Sequence, residues 1–510
     1  MKRGKVYLLG AGPGDPGLIT TKGLDCLKHA DVIVYDHLVD CSLLESARPD
    51  AEKIYVGKTP ACHAWEQGDI DRLLVEKAKE GKTVARLKGG DPFILGRGGE
   101  EAEALARNQV SFQVICGVSS ASAVPAYAGI PLTHRGLASS FAVVTGHEDP
   151  SKDRSSIAWE KLATAADTLV FLMGVANLSH IVRKLVDHGR APTTPIALIR
   201  EGCGPRQETV VGTLSDIVAK ATQKGFSPPA VIVVGEVVRL REKLRWFDNT
   251  PLFGKRILVT RAEHQTSLMS RLLREKGAQP VKMPVIEIQA ALHTDELDRE
   301  ILNLDNYQWI VFTSVNGVEA FFLRLSDLAL DARCLKGIRI GAIGPATAKA
   351  ITTYGILPDY VPTTYTSECL LSGIKDRVVA GSRVLLPRAD IANRELAEGI
   401  TQLGAEVHEI AIYRTIQANT DCSQGKQMLL SGKIDTVTFT SSSTVTNLLA
   451  LLGTEIPSIG TAKVACIGPK TAATAEEMGL RVDIVAGENT IPGLVEAIEQ
   501  YYRTGEGRST

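Results

Sequence analysis

Two glycine clusters in the first half of the chain are places where backbone could close on a ligand. Gly10-Ala-Gly-Pro-Gly-Asp15-Pro-Gly-Leu-Ile-Thr20 follows the apolar run Val6–Leu9. A glycine turn between strand and helix lets N–H groups approach a bound molecule. The turn departs from a dinucleotide fingerprint, because Asp15 takes the third glycine's place and Pro13 removes a donor. A ligand loop and a tight structural turn both fit it. The second cluster, Arg86-Leu-Lys-Gly-Gly-Asp91-Pro-Phe-Ile-Leu-Gly-Arg-Gly-Gly-Glu-Glu101, mixes glycine and proline with three cations and Asp91. So irregular a loop is entropically costly for a mere connection, and such loops commonly line sites. Cys116-Gly-Val-Ser-Ser-Ala121, Pro131-Leu-Thr-His-Arg-Gly136, Gly146-His147 and Phe171-Leu-Met-Gly174 continue the series. In the second half the chemistry-bearing residues are hydroxyls at helix starts: Thr313-Ser-Val-Asn-Gly317, Thr440-Ser-Ser-Ser-Thr444, Ile343-Gly-Pro-Ala-Thr-Ala348 and Ile467-Gly-Pro-Lys-Thr-Ala472. Each taken singly reads first as an ordinary N-cap, while the four together would offer free N–H groups to a polycarboxylate.

The elements that must carry these residues follow from length and pattern. The chain has 510 residues, and at roughly 150 residues per domain that suggests three or four domains. A hydrophobic fraction of 44%, a charged fraction of 23% and a net charge of −1 exclude disordered and fibrous classes. They also remove the electrostatic case for non-specific nucleic-acid binding. No run approaches the roughly 18 apolar residues of a membrane span, and Gly10 cuts the first apolar run too early for a signal peptide. The nine cysteines are dispersed, which argues against zinc and disulfides and for a cytoplasmic home. A charged stretch ends at Asp248-Asn-Thr-Pro251, placing a seam at about 247–253. Beyond it Leu258-Val-Thr-Arg-Ala262 recurs as Leu385-Leu-Pro-Arg-Ala389, and Thr313-Ser314 as Thr440-Ser441, both at an offset of 127. The stripe Val318, Phe321, Phe322, Leu325 recurs as Val445, Leu448, Leu449, Leu452, one buried helix face in each copy. Strand-like runs such as Val32–Tyr35, Ala142–Thr145, Val231–Val234, Trp309–Phe312 and Val437–Thr440 alternate with helical periods, the pattern of α/β domains with largely parallel sheets.

The ordered set Gly-Ala-Gly-Pro-Gly-Asp, Tyr35-Asp-His-Leu-Val39, Val56-Gly-Lys58, Arg-Leu-Lys-Gly-Gly-Asp-Pro-Phe, Pro-Leu-Thr-His-Arg-Gly and Ser227-Pro-Pro-Ala-Val231 resembles uroporphyrinogen-III C-methyltransferase over residues 4 to about 243. That resemblance implies a two-lobed tetrapyrrole methylase fold with S-adenosylmethionine held between the lobes. It implies cofactor contacts from Pro13, Gly89, Gly90, Asp91, Ile94, Ser119, Ser120, Met173 and Gly202. Asp36 matches the family's proton acceptor and Lys58 its proton donor; from the residues alone, a helix cap and a solvated charge remain open for them. Arg97, His134, Arg135 and His147 are candidate clamps for substrate carboxylates. Cys116, and Ser119-Ser120 in place of Thr-Ala, depart from the family's usual pattern.

The second-half blocks, with Ile412-Tyr-Arg-Thr415 among them, resemble uroporphyrinogen-III synthase over about 253–500. The implied fold has two lobes with parallel sheets, the second inserted into the first. Tyr413 matches a tyrosine thought to help the hydroxyl leave, and Ser314, Thr347, Ser441 and Thr471 line the implied cleft. The expected organisation is therefore a methyltransferase over 1–246 and a synthase over 253–505, with lobe one at about 253–285 plus 413–505 and lobe two at about 286–412. The expected activity is cyclisation of hydroxymethylbilane to uroporphyrinogen III with inversion of ring D, then two methylations to precorrin-2. A homodimer through the methylase half is implied. Sirohaem and cobalamin are both open as destinations. The rivals are a nicotinamide-linked oxidoreductase using Gly10–Gly14, and a methyltransferase carrying a non-catalytic tetrapyrrole-binding module. No metal is expected.

Overall fold

A computed structural model describes the chain except for residues 1–3, 58–64, 148–156, 262–265, 291–294, 376, 379, 391–393, 418–422, 454–458, 461 and 505–510. The contacts divide it into two units, Met1–Lys255 with Lys276–Gln279, and Arg256–Glu275 with Pro280–Thr510.

The first unit begins with β1 (Lys5–Gly10), β2 (Val32–Tyr35), β3 (Glu52–Tyr55), β4 (Thr83–Lys88) and β5 (Ser111–Ile115). They form one sheet in the order β3-β2-β4-β1-β5, all parallel. Side chains alternate across it. Val6, Leu8, Val32, Val34 and Val84 fill the core on one face, and Leu9, Ile33, Ala85 and Leu87 fill the other. Both faces are covered, so the central β1 and β2 read as continuous apolar runs rather than alternating ones.

The unit's second sheet contains β6 (Phe141–Thr145), β7 (Thr168–Leu172), β8 (Pro195–Arg200), β9 (Glu208–Thr213) and β10 (Ala230–Val234), ordered β6-β7-β10-β8-β9. Only β6 and β7 pair in parallel; β10 runs antiparallel to both its neighbours, and β8 to β9. The chain's sheets are largely parallel, as expected, and this one is the exception. Glu201 to Gln207 turn the chain back from β8 into β9, a connection too short for a parallel crossover.

The second unit runs through β11 (Arg256–Val259) and β12 (Gln279–Lys282). It then passes to β13 (Ile286–Ala290), β14 (Trp309–Phe312), β15 (Arg339–Ala342), β16 (Arg383–Ala389) and β17 (Glu406–Gln417). It returns to β18 (Thr436–Phe439), β19 (Lys463–Cys466) and β20 (Ile484–Val485). Two sheets result, β12-β11-β18-β19-β20 and β13-β17-β16-β14-β15. The pairs β11–β18, β18–β19, β19–β20, β14–β15, β14–β16 and β16–β17 are parallel, while β13 and β17 pair antiparallel. Ile288 on β13 packs against the cores of both sheets, so this ribbon is where the chain passes from one to the other.

The repeated helical stripes do what their spacing requires. Val318, Phe321, Phe322 and Leu325 are buried on the helix Val315–Asp327, and Val445, Leu448, Leu449 and Leu452 on Ser442–Leu452. Each such side chain contributes on the order of 1.5–3 kcal/mol of burial.

Candidate functional sites

In the first unit three strand ends converge. Ala11 N–H donates to the Lys88 carbonyl at 2.8 Å, and Gly12 and Gly90 exchange hydrogen bonds of 3.3 and 2.7 Å, joining the loops after β1 and β4. The loop after β5 closes against both. A Cβ on Gly10 would lie 2.5 Å from the Gly117 Cα and 2.6 Å from the Gly90 carbonyl oxygen, so only glycine permits this approach. Above Gly90, with φ of +71°, a Cβ would meet only the Ser120 N at 3.6 Å. The glycine loops therefore leave open space next to the first turn of the helix Ser120–Tyr127, which Ser119 caps through the Ala121 amide.

Asp91 is 8% exposed, and its carboxylate accepts from the amides of Phe93 (2.8 Å) and Gly117 (3.0 Å). It thereby pins the β4 loop to the β5 loop. Asp15, which speaks against a dinucleotide, is explained by its partners: it accepts from Gly17 N–H and from the Tyr127 hydroxyl, both at 2.7 Å. The second sheet's loops reach the same region, since a Cβ on Gly14 would lie 2.9 Å from the Gly202 carbonyl oxygen. Gly202 itself is pressed on Val124. Pro13 is half-buried between these glycines.

Backbone strain is concentrated here. Leu95, Arg97, Met173, Glu201 and Cys203 all have positive φ, against two further non-glycine cases among the described residues. Phe93, Ile94 and Leu95 in the β4 loop, and Met173 after β7, are large apolar side chains left exposed, at 55, 44, 42 and 50%.

Asp36 follows β2 at the same edge. Its carboxylate accepts from Leu38 N–H at 3.1 Å and from Arg86 Nη2 at 3.1 Å. The Leu38 Cβ lies where a Cβ on Gly89 would come within 2.6 Å of it, which seats the Asp36 loop on the glycine loop. Behind Asp36 stands a charged cluster that the sequence reading overlooked. Glu101, fully buried, accepts through Oε1 from Arg86 Nε at 3.1 Å and Lys88 Nζ at 2.7 Å. Two cations at alternate positions of an otherwise apolar strand were the available signal. Burial, followed by the charge of Arg86, holds the Lys88 ammonium below its ordinary range, and Glu101 opposes that.

Lys58 lies outside the described residues. Arg97 pairs with Glu100 at 2.7 Å, while His134, Arg135 and His147 are exposed on the loops flanking β6.

In the second unit, Tyr413 and Ser314 are brought together. The two hydroxyls are 3.0 Å apart, and Ser314 Oγ also caps the helix Val315–Asp327 by accepting from Gly317 N–H at 3.0 Å. Burial pushes the Tyr413 phenol up, and hydrogen bonds with Ser314 and Asn316 oppose it. Asn316 is a further partner that the sequence reading did not select, although it sits in the same Thr-Ser-Val-Asn-Gly block. Nearby, the buried Arg388 guanidinium lies 2.9 Å from Glu409. Ser441 caps the helix Ser442–Leu452, reciprocally with Thr444. Thr347 and Thr471 are 3% and 5% exposed, each in the first turn after a Gly-Pro pair. Ser314 and Thr347 thus flank one sheet, and Ser441 and Thr471 occupy the equivalent places on the other. Among the described residues no group of acidic, His and Cys side chains has a metal-binding arrangement.

Comparison with known proteins matches the units separately and together. The family described as Tetrapyrrole (Corrin/Porphyrin) Methylases matches residues 5–218, and Uroporphyrinogen-III synthase HemD matches residues 267–496. The porphyrin biosynthesis protein HemD of Ruminiclostridium josui is 39% identical over 498 residues, covering 98% of each chain. The S-adenosyl-L-methionine-dependent uroporphyrinogen III methyltransferase of Methanosarcina barkeri is 50% identical over 241 residues, 47% of this chain and 94% of that one. A crystal structure of uroporphyrin-III C-methyl transferase from Thermus thermophilus complexed with S-adenyl homocysteine is 41% identical, covering 46% of this chain and 99% of that one, with a TM-score of 0.40.

Proposed function

The chain belongs to the family of porphyrin-biosynthesis proteins that join a tetrapyrrole methylase to a uroporphyrinogen-III synthase, and from that premise we propose two consecutive activities. The second unit cyclises hydroxymethylbilane to uroporphyrinogen III with inversion of ring D. The first methylates that product twice, to precorrin-2. The methylase is assigned to 1–246 and the synthase to 253–505, with lobes at about 253–285 plus 413–505 and 286–412.

S-adenosylmethionine supplies an electrophilic methyl group on a sulfonium when bound. The residues present fit it: the space above Gly90 is open, and Ile94 in the following loop is an exposed apolar side chain. Pro13, Gly89, Gly90, Asp91, Ile94, Ser119, Ser120, Met173 and Gly202 would hold it. Asp91 would act largely by fixing the two loops, since its carboxylate already accepts from their amides. Asp36 takes the proton released from the methylated carbon skeleton, and Arg86 keeps that carboxylate oriented. Lys58 is assigned the proton donor's role by its motif. General acid–base help of this kind contributes about 10²–10⁴-fold. Arg97, His134, Arg135 and His147 would clamp substrate carboxylates. In the synthase, Tyr413 donates a proton to the departing hydroxyl with Ser314 holding its oxygen, and Thr347, Ser441 and Thr471 shape the cleft.

The observation that carries the methylase reading is the seating of the Arg86-held Asp36 on the glycine loop; for the synthase it is the buried Tyr413–Ser314 pair. The test feeds hydroxymethylbilane and methyl-labelled S-adenosylmethionine to the intact chain. Doubly labelled precorrin-2 is expected. Uncyclised bilane would leave only a binding module in the second unit, and uroporphyrinogen III without label would remove the methylase.

Two finer points complete the proposal. The free thiols among the described cysteines suit a reducing cytoplasm, to be checked by cell fractionation. No described helix is long and apolar enough to cross a membrane. A homodimer through the methylase half is what the methylase family implies, and sedimentation at the monomer mass would refute it.

A further inference from the structure

Asp36, Arg86, Lys88 and Glu101 form one cluster, and we infer that the Lys88–Glu101 pair is a positioning device that sets the net charge beside Asp36. The inference rests on the reading of Asp36 as proton acceptor. Arg86 and Lys88 lie two residues apart on β4 and so share one face. Glu101, in the first turn of the helix Gly98–Arg107, joins both cations through a single oxygen, at 3.1 and 2.7 Å, and Arg86 passes on to Asp36 at 3.1 Å. The side chains of Arg86, Lys88 and Glu101 are 4, 7 and 0% exposed, so solvent screens them little.

Two cations and two carboxylates sum to zero. That balance, rather than hydrogen bonding or stability, is what the arrangement provides. Glu101 Oε2 is buried without a hydrogen-bond partner among the described residues, so its value lies in the charge. A buried ion cluster is also a poor source of folding energy compared with apolar packing. Deleting either member of the pair would leave a net charge next to the residue that must gain and lose a proton.

The other ionisable groups facing the cluster are largely committed to each other. Asp71, on the helix Gln67–Lys79, accepts from Gln67, which also reaches Glu101 at 3.4 Å. Arg97 pairs with Glu100. On the strand side Tyr35 of β2 packs edge-on against Tyr55 of β3.

The test is the pH–rate profile of methylation by the intact chain, with uroporphyrinogen III and S-adenosylmethionine as substrates. Lys88→Met leaves Arg86⁺ against two carboxylates, which disfavours ionised Asp36. The acidic limb should move up by about one pH unit. Adding Glu101→Gln restores neutrality, and the limb should return to its wild-type position. A purely structural role would lower the rate in both variants without moving the limb. Calorimetric binding of S-adenosylmethionine reports whether each variant is folded, and Lys88→Gln replaces Lys88→Met if it is not. An unmoved limb in the single variant, or a double variant that fails to return, overturns the inference. Asp36→Asn separates the two claims: full methylation with a wild-type limb would sink Asp36 itself. Its inactivity alongside an unmoved Lys88→Met limb would sink only the charge-setting pair.

Discussion

At the scale of the residue, the two groups proposed to handle protons sit in contrasting surroundings. Asp36 is one-fifth exposed and its carboxylate lies 3.1 Å from the Arg86 guanidinium, which holds it in place. Tyr413 is buried, and burial pushes its phenol up, a setting for a hydroxyl that stays protonated until it gives one. The sign follows directly. A donor with a raised pKa is fully protonated below its ordinary value and is lost only as pH climbs above about 10. Cyclisation should therefore show no fall attributable to this group across neutral and mildly alkaline pH. Tyr413→Phe should lower the rate of uroporphyrinogen III formation by about 10²-fold or more, with the unfolding temperature little changed because the ring stays packed. An unchanged rate would reduce Tyr413 to a core residue. Asp36 and Tyr413 were legible in the chain because each stands in an ordered block. Their surroundings Arg86, Glu101 and Asn316 were not, because no spacing announces that Asp36 will meet Arg86 50 positions on, that Arg86 will meet Glu101 15 positions on, or that Asn316 will meet Tyr413 97 positions on.

At the scale of the element, the first site depends on glycines for contact between backbones more than for turns. Gly10 ends a strand, and a methyl group there would collide with backbone of both neighbouring loops rather than with side chains that could rotate away. Gly10→Ala should weaken S-adenosylmethionine binding at least about tenfold by calorimetry, since a misplacement of about 1 Å in such a site is known to be costly. Cyclisation by the same protein should persist. Equal loss of both activities would mean that the substitution unfolds the chain instead. The second unit's helix starts show a different economy, in which one serine serves both cap and site. Ser314 accepts from Gly317 N–H while meeting Tyr413, whereas its counterpart Ser441 caps its helix and lies 2.9 Å from Ser443. The repeat made both caps visible in sequence. At the repeat's offset β12 is the counterpart of β17, and Ile286 stands where β17 carries Tyr413, so only one cap meets a tyrosine.

At the scale of the whole molecule, the described residues form four five-stranded sheets, and their cores keep some thiols out of reach. Cys203 is 2% exposed, and Cys466 is fully buried with its thiol pushed up to about 12 by burial. Neither offers thiolate at neutral pH. A disulfide-exchange reagent should therefore spare both in the folded chain and react with the exposed Cys116, with peptide mapping as the measurement. Rapid labelling of Cys466 would show that the β19 sheet opens readily.

The alternation of short apolar runs with amphipathic stripes, the duplicated second half and the ordered glycine blocks were sufficient to indicate α/β units and two activities. These are local features: periodicity decides which face is buried, and glycine or proline decides where a strand must end. Strand direction in the second sheet, the β13–β17 ribbon and the Asp36–Arg86–Glu101–Lys88 cluster emerged only with the tertiary structure. Pairing partners and charge neighbours are chosen by contacts between distant segments, and burial alone makes such charges interact strongly enough to matter.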